Sequence, residues 1–167
     1  MPPGMAVSQE KRQTLIGIAL LACAALVGLL LDLWTKHLSV EHLMPHDEYQ
    51  LIPGYLHFRS VENYGAVFGL GQGLRWLFVA VSVAAIGFVI YMFAKSPRRW
   101  WHDIALGMLL AGILGNLYDR VAVGYVRDMI HVFPRWPDLF PWVFNIADSL
   151  LCVSIAILLL AGILLPE

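Results

Sequence analysis

The sequence contains few charged residues and few cysteines. Only 14% of its 167 residues are Asp, Glu, Lys or Arg, whereas 59% are apolar. A soluble domain carries about 25% charged residues, so this composition is typical of an integral membrane protein. The two cysteines, Cys23 and Cys152, stand singly within apolar segments. The sequence therefore favours neither a disulfide framework nor a thiol redox centre, because both need cysteines that can pair.

Several other functional classes lack the residues that they require. The formal net charge is −1 without a basic stripe, so we expect no nucleic-acid partner. A zinc intramembrane protease needs HExxH on a helix, but only His42 and His46 stand four apart, with Pro45 between them. A serine protease would need a histidine at the depth of Ser82 or Ser154, and the spans supply none. We expect no metal and no other cofactor.

Four apolar segments are long enough to cross a membrane. A helix needs about 20 residues to cross about 30 Å of hydrocarbon. The segments run approximately over 14–34, over 76–93, over 104–117 or a little beyond, and over 144–165. We predict an all-α membrane protein with four transmembrane helices and a small extracytoplasmic cradle of β-strand and loop. Residues 14–167 would form this single domain, and residues 1–13 a loosely ordered cytoplasmic tail.

The first span contains a segment that could be mistaken for a lipoprotein cleavage site. Leu20-Leu21-Ala22-Cys23 follows a Lys-Arg pair and an apolar stretch, as in a lipoprotein precursor, which would make the chain a substrate. A cleaved signal ends its apolar core near the cleavage site. Here the apolar run continues to Leu31, which favours a transmembrane helix.

The positive charges indicate the orientation of the helices. Lys95, Arg98 and Arg99 lie in the short loop between the second and third spans. The positive-inside rule makes this loop, and with it both termini, cytoplasmic. The segments 37–74 and 121–143 then lie on the extracytoplasmic face. Residues 55–61 alternate in polarity after the turn residues 52–54, which predicts a short strand or hairpin in the first of these segments.

This topology collects the polar side chains at one membrane face. Ionisable groups at or inside a bilayer are costly, and by default they indicate function. Solubility alone would place polar groups equally at both faces. The residues brought together by connectivity are Asp32, Lys36, Asn63, Asn116, Asp119, Arg120, Asp128, Asn145 and Asp148.

Some of these residues also have a purely structural interpretation. Asp32 and Lys36 stand four apart and could form an interfacial ion pair. Asp119 and Arg120 could form an internal ion pair or a link to the following loop. Asn116 could be a donor to a substrate backbone, an amide that orients the carboxylates, or a simple helix-end hydrogen-bonding group, and the same holds for Asn145.

Asp128 and Asp148 are the best candidates for paired catalytic carboxylates. Two close carboxylates cannot both ionise easily, so one pKa rises and the pair shares a proton. One member can then activate a water molecule while the other donates a proton, as in aspartic proteases. Asp148 has an alternative role, because an acidic residue near a helix N-terminus is stabilised by the helix dipole, and Asn145 could be the cap.

Five ordered motifs resemble those of lipoprotein signal peptidase, also called signal peptidase II. The likeness extends from the first span to the fourth. The motifs are Asp32-x-x-x-Lys36, Asn63-x-Gly65-Ala66-x-Phe68, Gly115-Asn116-x-x-Asp119-Arg120, Val126-x-Asp128-x-Ile130 and Phe144-Asn145-x-Ala147-Asp148-Ser149. Val67 and Met129 depart from the usual residues only by apolar exchanges, which affect groove shape and not chemistry.

The resemblance implies an intramembrane aspartic endopeptidase of the bacterial inner membrane, active without a metal. It would cut a diacylglyceryl-modified prolipoprotein before the lipidated cysteine, in contact with membrane lipids, and globomycin-type cyclic peptides would inhibit it. A monomer is expected. Asp128 and Asp148 would be the catalytic residues. The substrate-binding and supporting residues would be Asn63, Gly65, Asn116, Arg120, Asn145, Asp32, Lys36 and Asp119.

Two alternatives come from other classes. A quinone-linked thiol oxidase would need paired cysteines, which are missing. A small transporter or proton-relay protein could use the same carboxylates, but it would carry acids at mid-depth, whereas these acids collect at one edge. Cleavage of a lipidated precursor peptide would distinguish a peptidase from a transporter.

Overall fold

The computed structural model describes residues 3–43, 48–65, 71–136, 138, 140 and 142–164, with side chains from residue 8 onward. It confirms the predicted fold class, four long helices with a small antiparallel sheet. The elements in chain order are α1 Pro3–Leu43, β1 Glu48–Ile52, β2 Leu56–Asn63, α2 Arg75–Lys95, α3 Trp100–Ala122, β3 Val126–Val132, β4 Val143–Phe144 and α4 Ile146–Leu164.

All four helices are long and apolar enough to cross a membrane, which makes this a multi-pass membrane protein. Helix α3 lies at the centre and packs against α1, α2 and α4. The outer helices expose large apolar side chains such as Leu30, Ile90 and Leu159, as expected where hydrocarbon replaces water. The predicted spans are confirmed in number and approximate position, although α3 is longer at both ends than expected.

Helix α1 corrects two expectations about the N-terminal region. The predicted loosely ordered tail over residues 1–13 is wrong for residues 3–13, which belong to the helix. At the other end α1 runs past Lys36 to Leu43. Residues 37–43 contain no glycine or proline, so nothing ends the helix at the membrane surface. Its last turns instead pack against β2 and β3.

Small residues allow α1 to approach α3 closely. A Cβ atom on Gly107 of α3 would lie 2.5 Å from the carbonyl oxygen of Leu21 and 2.7 Å from the Cβ of Ala24. Lipid tails are as apolar as leucine, so helices associate in membranes through such close packing and through polar contacts. Gly107 therefore sets the distance between α1 and α3.

The sheet is larger than the sequence suggested. Its strand order is β1-β2-β3-β4, with every neighbouring pair antiparallel. The predicted hairpin of β1 and β2 is confirmed, and Gly54 takes a φ of 78° in its turn. The segment 121–143, expected as a loop, instead contains β3 and the first residue of β4. A bulge in β2 shifts the register between Phe58 and Val61, so that Val61 lies opposite Asp128.

The glycine-rich segment after β2 includes two glycines that the structure describes. Gly71 and Gly73 have φ values of 68° and 84°, as expected for glycines that supply left-handed backbone. Other sequence interpretations fall on residues 45, 46, 66–70 and 165, which lie outside the described residues.

The chain ends that carry the polar motifs meet at one end of the bundle. The Ala147 backbone N–H, at the start of α4, donates to Asp32 Oδ1 near the end of the α1 span at 2.8 Å. Arg75, at the start of α2, donates to the carbonyl oxygen of Val121 at the end of α3 at 2.8 Å. The basic loop with Arg98 lies at the opposite end, beside Asp103 of α3. The predicted gathering of polar residues at one end is therefore present in the fold.

Candidate active site

Strands β2 and β3 place an asparagine beside the first candidate carboxylate. Asn63 is the last residue of β2 and Asp128 is in β3. The Asn63 Nδ2 donates to Asp128 Oδ2 at 2.9 Å, and Asn63 Oδ1 accepts from the Gly65 backbone N–H at 2.9 Å. The second bond fixes the orientation of the amide, because its oxygen is occupied and its nitrogen must point at Asp128.

The second candidate carboxylate is fixed by the start of α4. The Asp148 N–H donates to Asn145 Oδ1 at 2.9 Å, and the Asn145 N–H donates to Asp148 Oδ2 at 3.3 Å. This reciprocal pair has the geometry of a capping box, in which two free helix N–H groups are satisfied. The interpretation of Asn145 as the helix cap is therefore correct, and Asp148 Oδ1 is directed away from the cap.

Two buried amides connect the carboxylates into one network. Asn145 Nδ2 donates to Asp128 Oδ1 at 2.6 Å, and Asn116 Nδ2 donates to Asp148 Oδ1 at 2.8 Å. Asn145 also donates to Asn116 Oδ1 at 3.2 Å. Asn145 thus hydrogen-bonds to both Asp128 and Asp148, and it is completely buried.

The environment of Asp128 favours its protonated form. Its side chain is 2% exposed. Burial and then the nearby charge of Asp148 raise the pKa of Asp128 to about 7, although hydrogen bonds from Asn63 and Asn145 oppose the rise. At neutral pH the pair can therefore hold one proton and one negative charge between them.

Below this network lies a fully buried lysine. Lys36 Nζ lies 2.8 Å from Asp32 Oδ2 and 3.2 Å from Asp119 Oδ2, and it donates to Asn116 Oδ1 at 3.0 Å. All three charged side chains have 0% exposure. The predicted Asp32–Lys36 pair is present, but in the interior and not facing the headgroups. Because Lys36 occupies the Asn116 oxygen, the Asn116 nitrogen must face Asp148.

Asp119 does not pair with Arg120. The expected internal ion pair is wrong, and the alternative, a link to the following loop, is correct: Asp119 accepts from the Arg127 backbone N–H at 2.9 Å and from its guanidinium at 2.5 Å. Residues adjacent on a helix point in different directions, which explains the failure. Arg127 was missed as a site residue, because its contact with Asp119 depends on where β3 lies, and the sequence pattern does not specify this.

Arg120 joins the end of α3 to the segment after β2. Its guanidinium donates to the carbonyl oxygens of Gly65 at 3.0 Å and Asn116 at 3.3 Å, and it lies over the ring of Phe78. It is also close enough to interact electrostatically with both Asp148 and Asp128. Arg120 thus puts a fixed positive charge beside the carboxylates.

The carboxylates line a large groove that extends between α2 and α4. The cavity has a volume of about 930 Å³. It is bounded by Val81 and Ala85 of α2, Ile113 of α3 and Cys152 of α4, and by residues of β2, β3 and β4. We call it the substrate groove. Its apolar part lies between helices, whereas its polar end holds Asp128 and Asp148.

All ten residues predicted from the sequence belong to one connected network at this end of the molecule. The arrangement offers a proton donor, a proton acceptor and amide donors at the end of an apolar groove. These groups suit the hydrolysis of a polar bond in an extended substrate chain. Among the described residues, no group of three or more His, Cys, Asp or Glu side chains is arranged to hold a metal ion.

Comparisons with known proteins agree on one family. The model of the family described as signal peptidase (SPase) II matches residues 5–164. A lipoprotein signal peptidase of Caldanaerobacter subterraneus subsp. tengcongensis is 40% identical over 128 residues, covering 77% of this chain and 85% of the relative. One from Halalkalibacterium halodurans is 39% identical over 137 residues, covering 81% and 86%.

A solved structure has the same fold over most of the chain. It is described as a bacterial membrane enzyme determined by the in meso method, and it superposes with a TM-score of 0.79 at 29% identity. The match covers 90% of this chain and 95% of the solved one.

Proposed function

This chain belongs to the signal peptidase II family and is a protease that removes signal peptides from prolipoproteins in the membrane; we propose that it does so by an aspartic mechanism with Asp128 and Asp148 as the catalytic pair. The observation that supports this proposal best is the hydrogen bonding of both carboxylates to Asn145 at the polar end of the substrate groove.

The two carboxyl groups have different environments and therefore different proposed roles. Asp128 is the proton donor, because burial and the charge of Asp148 raise its pKa to about 7. Ionised Asp148 accepts a proton from water, whose oxygen attacks the carbonyl carbon of the scissile bond. Asp128 donates its proton to the carbonyl oxygen. Return of the proton to Asp128 and protonation of the amide nitrogen by Asp148 then break the carbon–nitrogen bond.

The groove accommodates the signal peptide on the membrane side of this pair. Helices α2 and α4 both pack on α3, and their apolar side chains line the groove together. We propose that the apolar helix of the signal peptide lies there and unwinds near Asp128 and Asp148. Arg120, Asn63, Gly65 and Asn116 hold its backbone and the site geometry, while Asp32, Lys36, Asp119 and Asn145 support the carboxylates from below.

The position of the site at one end of the helices suits a lipid-modified substrate. A diacylglyceryl group at the cleavage site remains in the bilayer if the scissile bond lies at headgroup depth, and each methylene moved into water would cost about 0.8 kcal/mol. We therefore propose cleavage immediately before the lipidated cysteine.

The basic loop with Lys95, Arg98 and Arg99 supports an orientation in which both termini are cytoplasmic and the sheet is extracytoplasmic. We propose that the protein resides in the bacterial inner membrane. We also propose that cyclic peptides of the globomycin type compete with the substrate for the groove.

The proposal is tested by removing each carboxylate in turn. Asp128→Asn and Asp148→Asn should each lower kcat for a diacylglyceryl-modified precursor peptide by at least about 10³-fold, because general acid–base catalysis contributes about 10²–10⁴-fold and the two groups act together. Asp138→Asn, an exposed acid outside the groove, is the matched control and should keep wild-type activity. Mass spectrometry of the products locates the cut.

Either variant retaining more than a tenth of wild-type kcat while folded would contradict the aspartic mechanism. Products that begin elsewhere than at the lipidated cysteine would contradict only the proposed cleavage position.

A further inference from the structure

The charged side chains that line the substrate groove differ in how well they are paired. Asp128, Asp148 and Arg120 have the hydrogen bonds described above. The Glu62 carboxylate accepts from the Tyr64 hydroxyl at 2.6 Å. Arg59 of β2 lines the same groove, but no carboxylate within the described ranges pairs with it. Its Nε atom is buried and has no hydrogen-bond partner among them.

Among the described residues, the neighbours of Arg59 form no ion pair with it. Glu48 lies directly opposite on β1, but its carboxylate is engaged by His57 Nδ1 at 2.6 Å. On the other side is His131, whose pKa is lowered by burial and by the positive charge of Arg59. A partly buried guanidinium that has no ion-pair partner in the described part of the chain is costly, and an anion supplied by a ligand would lower that cost.

The position of Arg59 along β2 indicates which part of a substrate it meets. Val61 lies opposite Asp128, and Arg59 is two residues farther toward the β1–β2 turn, about 7 Å along the strand. The apolar helix of the signal peptide occupies the other direction, between α2 and α4. An extended substrate advances about 3.3 Å per residue, so Arg59 faces the chain two or three residues after the scissile bond.

We propose that Arg59 is a specificity-determining residue that binds an aspartate or glutamate side chain two or three residues beyond the scissile bond of the prolipoprotein. The inference rests on the proposed function and adds a preference for acidic mature N-termini. A phospholipid phosphate could supply the same charge. The peptide is favoured because Arg59 belongs to the sheet and lines the groove that the substrate must traverse.

The test compares lipidated peptides that differ at one position. Peptides carrying Asp, Asn or Lys at the second or third residue after the cleavage site are cleaved in neutral detergent micelles. The wild-type enzyme should show a kcat/KM about three- to tenfold higher for Asp than for Asn, and lower for Lys. In Arg59→Gln the Asp-to-Asn ratio should fall to about one, and Arg59→Glu should favour Lys.

Arg135→Gln is the matched control, because Arg135 is exposed, lies over Trp136 and does not line the groove; its Asp-to-Asn ratio should equal that of the wild type. Equal rates for the wild type with all three peptides, or an unchanged ratio in Arg59→Gln, would overturn the proposal. The comparison of peptides with the wild-type enzyme tests the acidic preference even if an Arg59 variant does not fold.

A second arm distinguishes a lipid phosphate. Adding anionic phosphatidylglycerol to the micelles should leave the Asp-to-Asn ratio of the wild type in place. If the lipid instead changes kcat/KM equally for all peptides, and Arg59→Gln abolishes that change, Arg59 binds headgroups and the peptide proposal is wrong. Cleavage that survives in Asp128→Asn would refute the proposed mechanism without bearing on this preference.

Discussion

At the scale of single residues, the site depends on amides whose orientation is fixed by charged neighbours. Lys36 contacts Asp32, Asp119 and the oxygen of Asn116. The nitrogen of Asn116 consequently faces Asp148. One buried cation therefore lies between two buried anions, of which Asp119 also pairs with Arg127. The same cation orients an amide that contacts the Asp148 carboxylate.

Removing this cation should destabilise the protein strongly. Lys36→Met leaves the Asp32 carboxylate, at 0% exposure, without its counter-charge, whereas Asp119 keeps its ion pair with Arg127. Breaking a buried ion pair in this way costs about 3–5 kcal/mol. We expect a large fall in the thermal unfolding temperature in detergent, and partial recovery in the double variant Asp32→Asn/Lys36→Met. Lys95→Met, at an exposed position, is the control. A single variant as stable as the wild type would show that Lys36 does not balance these charges.

At the scale of secondary-structure elements, α3 provides both the packing centre and the floor of the site. Gly115 is one residue before Asn116 and faces α1 and α4. A Cβ atom there would contact the Asp32 carboxylate, and it would lie 3.3 Å from the Cβ of Ala147. The close approach of the helices thus brings Asp32 within reach of the Ala147 N–H at the start of α4.

Gly115→Ala should therefore reduce both stability and activity. The added methyl displaces Asp32 or separates α1 and α4 from α3, and overpacking of this kind costs about 1–3 kcal/mol. Gly87→Ala in α2 is a matched control, because nothing lies within 4 Å of its added Cβ and alanine favours the helix. The measurement is thermal unfolding with peptide cleavage in the same detergent. Equal behaviour of the two variants would contradict the packing role of Gly115.

Some of these elements could be predicted from the sequence, and others could not. Long apolar segments predicted four helices because the length of a span is set by the bilayer. Strand β3 was missed because its polar residues face a buried network: Asp128 and His131 are buried in place of apolar side chains. The helical extension of α1 beyond Lys36 was missed because the expected boundary was the membrane surface, whereas the sheet packs against the helix there.

At the scale of the whole molecule, α2 and α4 flank a groove that α3 closes from below. In the proposed function, the site opens toward lipid between these two helices, so that a membrane-embedded substrate can enter without passing through water. Connectivity alone predicted which residues meet at that end. It could not predict the pairing of Asp119 with Arg127, because that contact depends on the register of β3, which the sequence pattern does not specify.

The two native cysteines offer a test of the groove. Cys152 lines it and Cys23 of α1 does not. A signal peptide with a single cysteine in the second half of its apolar helix should form an oxidative cross-link with the wild-type protein and with Cys23→Ser, but not with Cys152→Ser. Cross-linking that depends on Cys23 would place the substrate on α1 and contradict the proposed entry between α2 and α4.

The pH dependence of kcat/KM tests the shared proton most directly. Since the pKa of Asp128 is raised to about 7, its proton is present below pH 7 and lost above it, so cleavage of a peptide without titratable groups should fall about tenfold per pH unit at higher pH. Cleavage should also fall in acid, because the proposed mechanism needs one carboxylate to accept the proton of the attacking water. A bell-shaped profile with its basic limb near pH 7 is the predicted result. A rate that stays constant from pH 5 to pH 9 would contradict catalysis by Asp128 and Asp148.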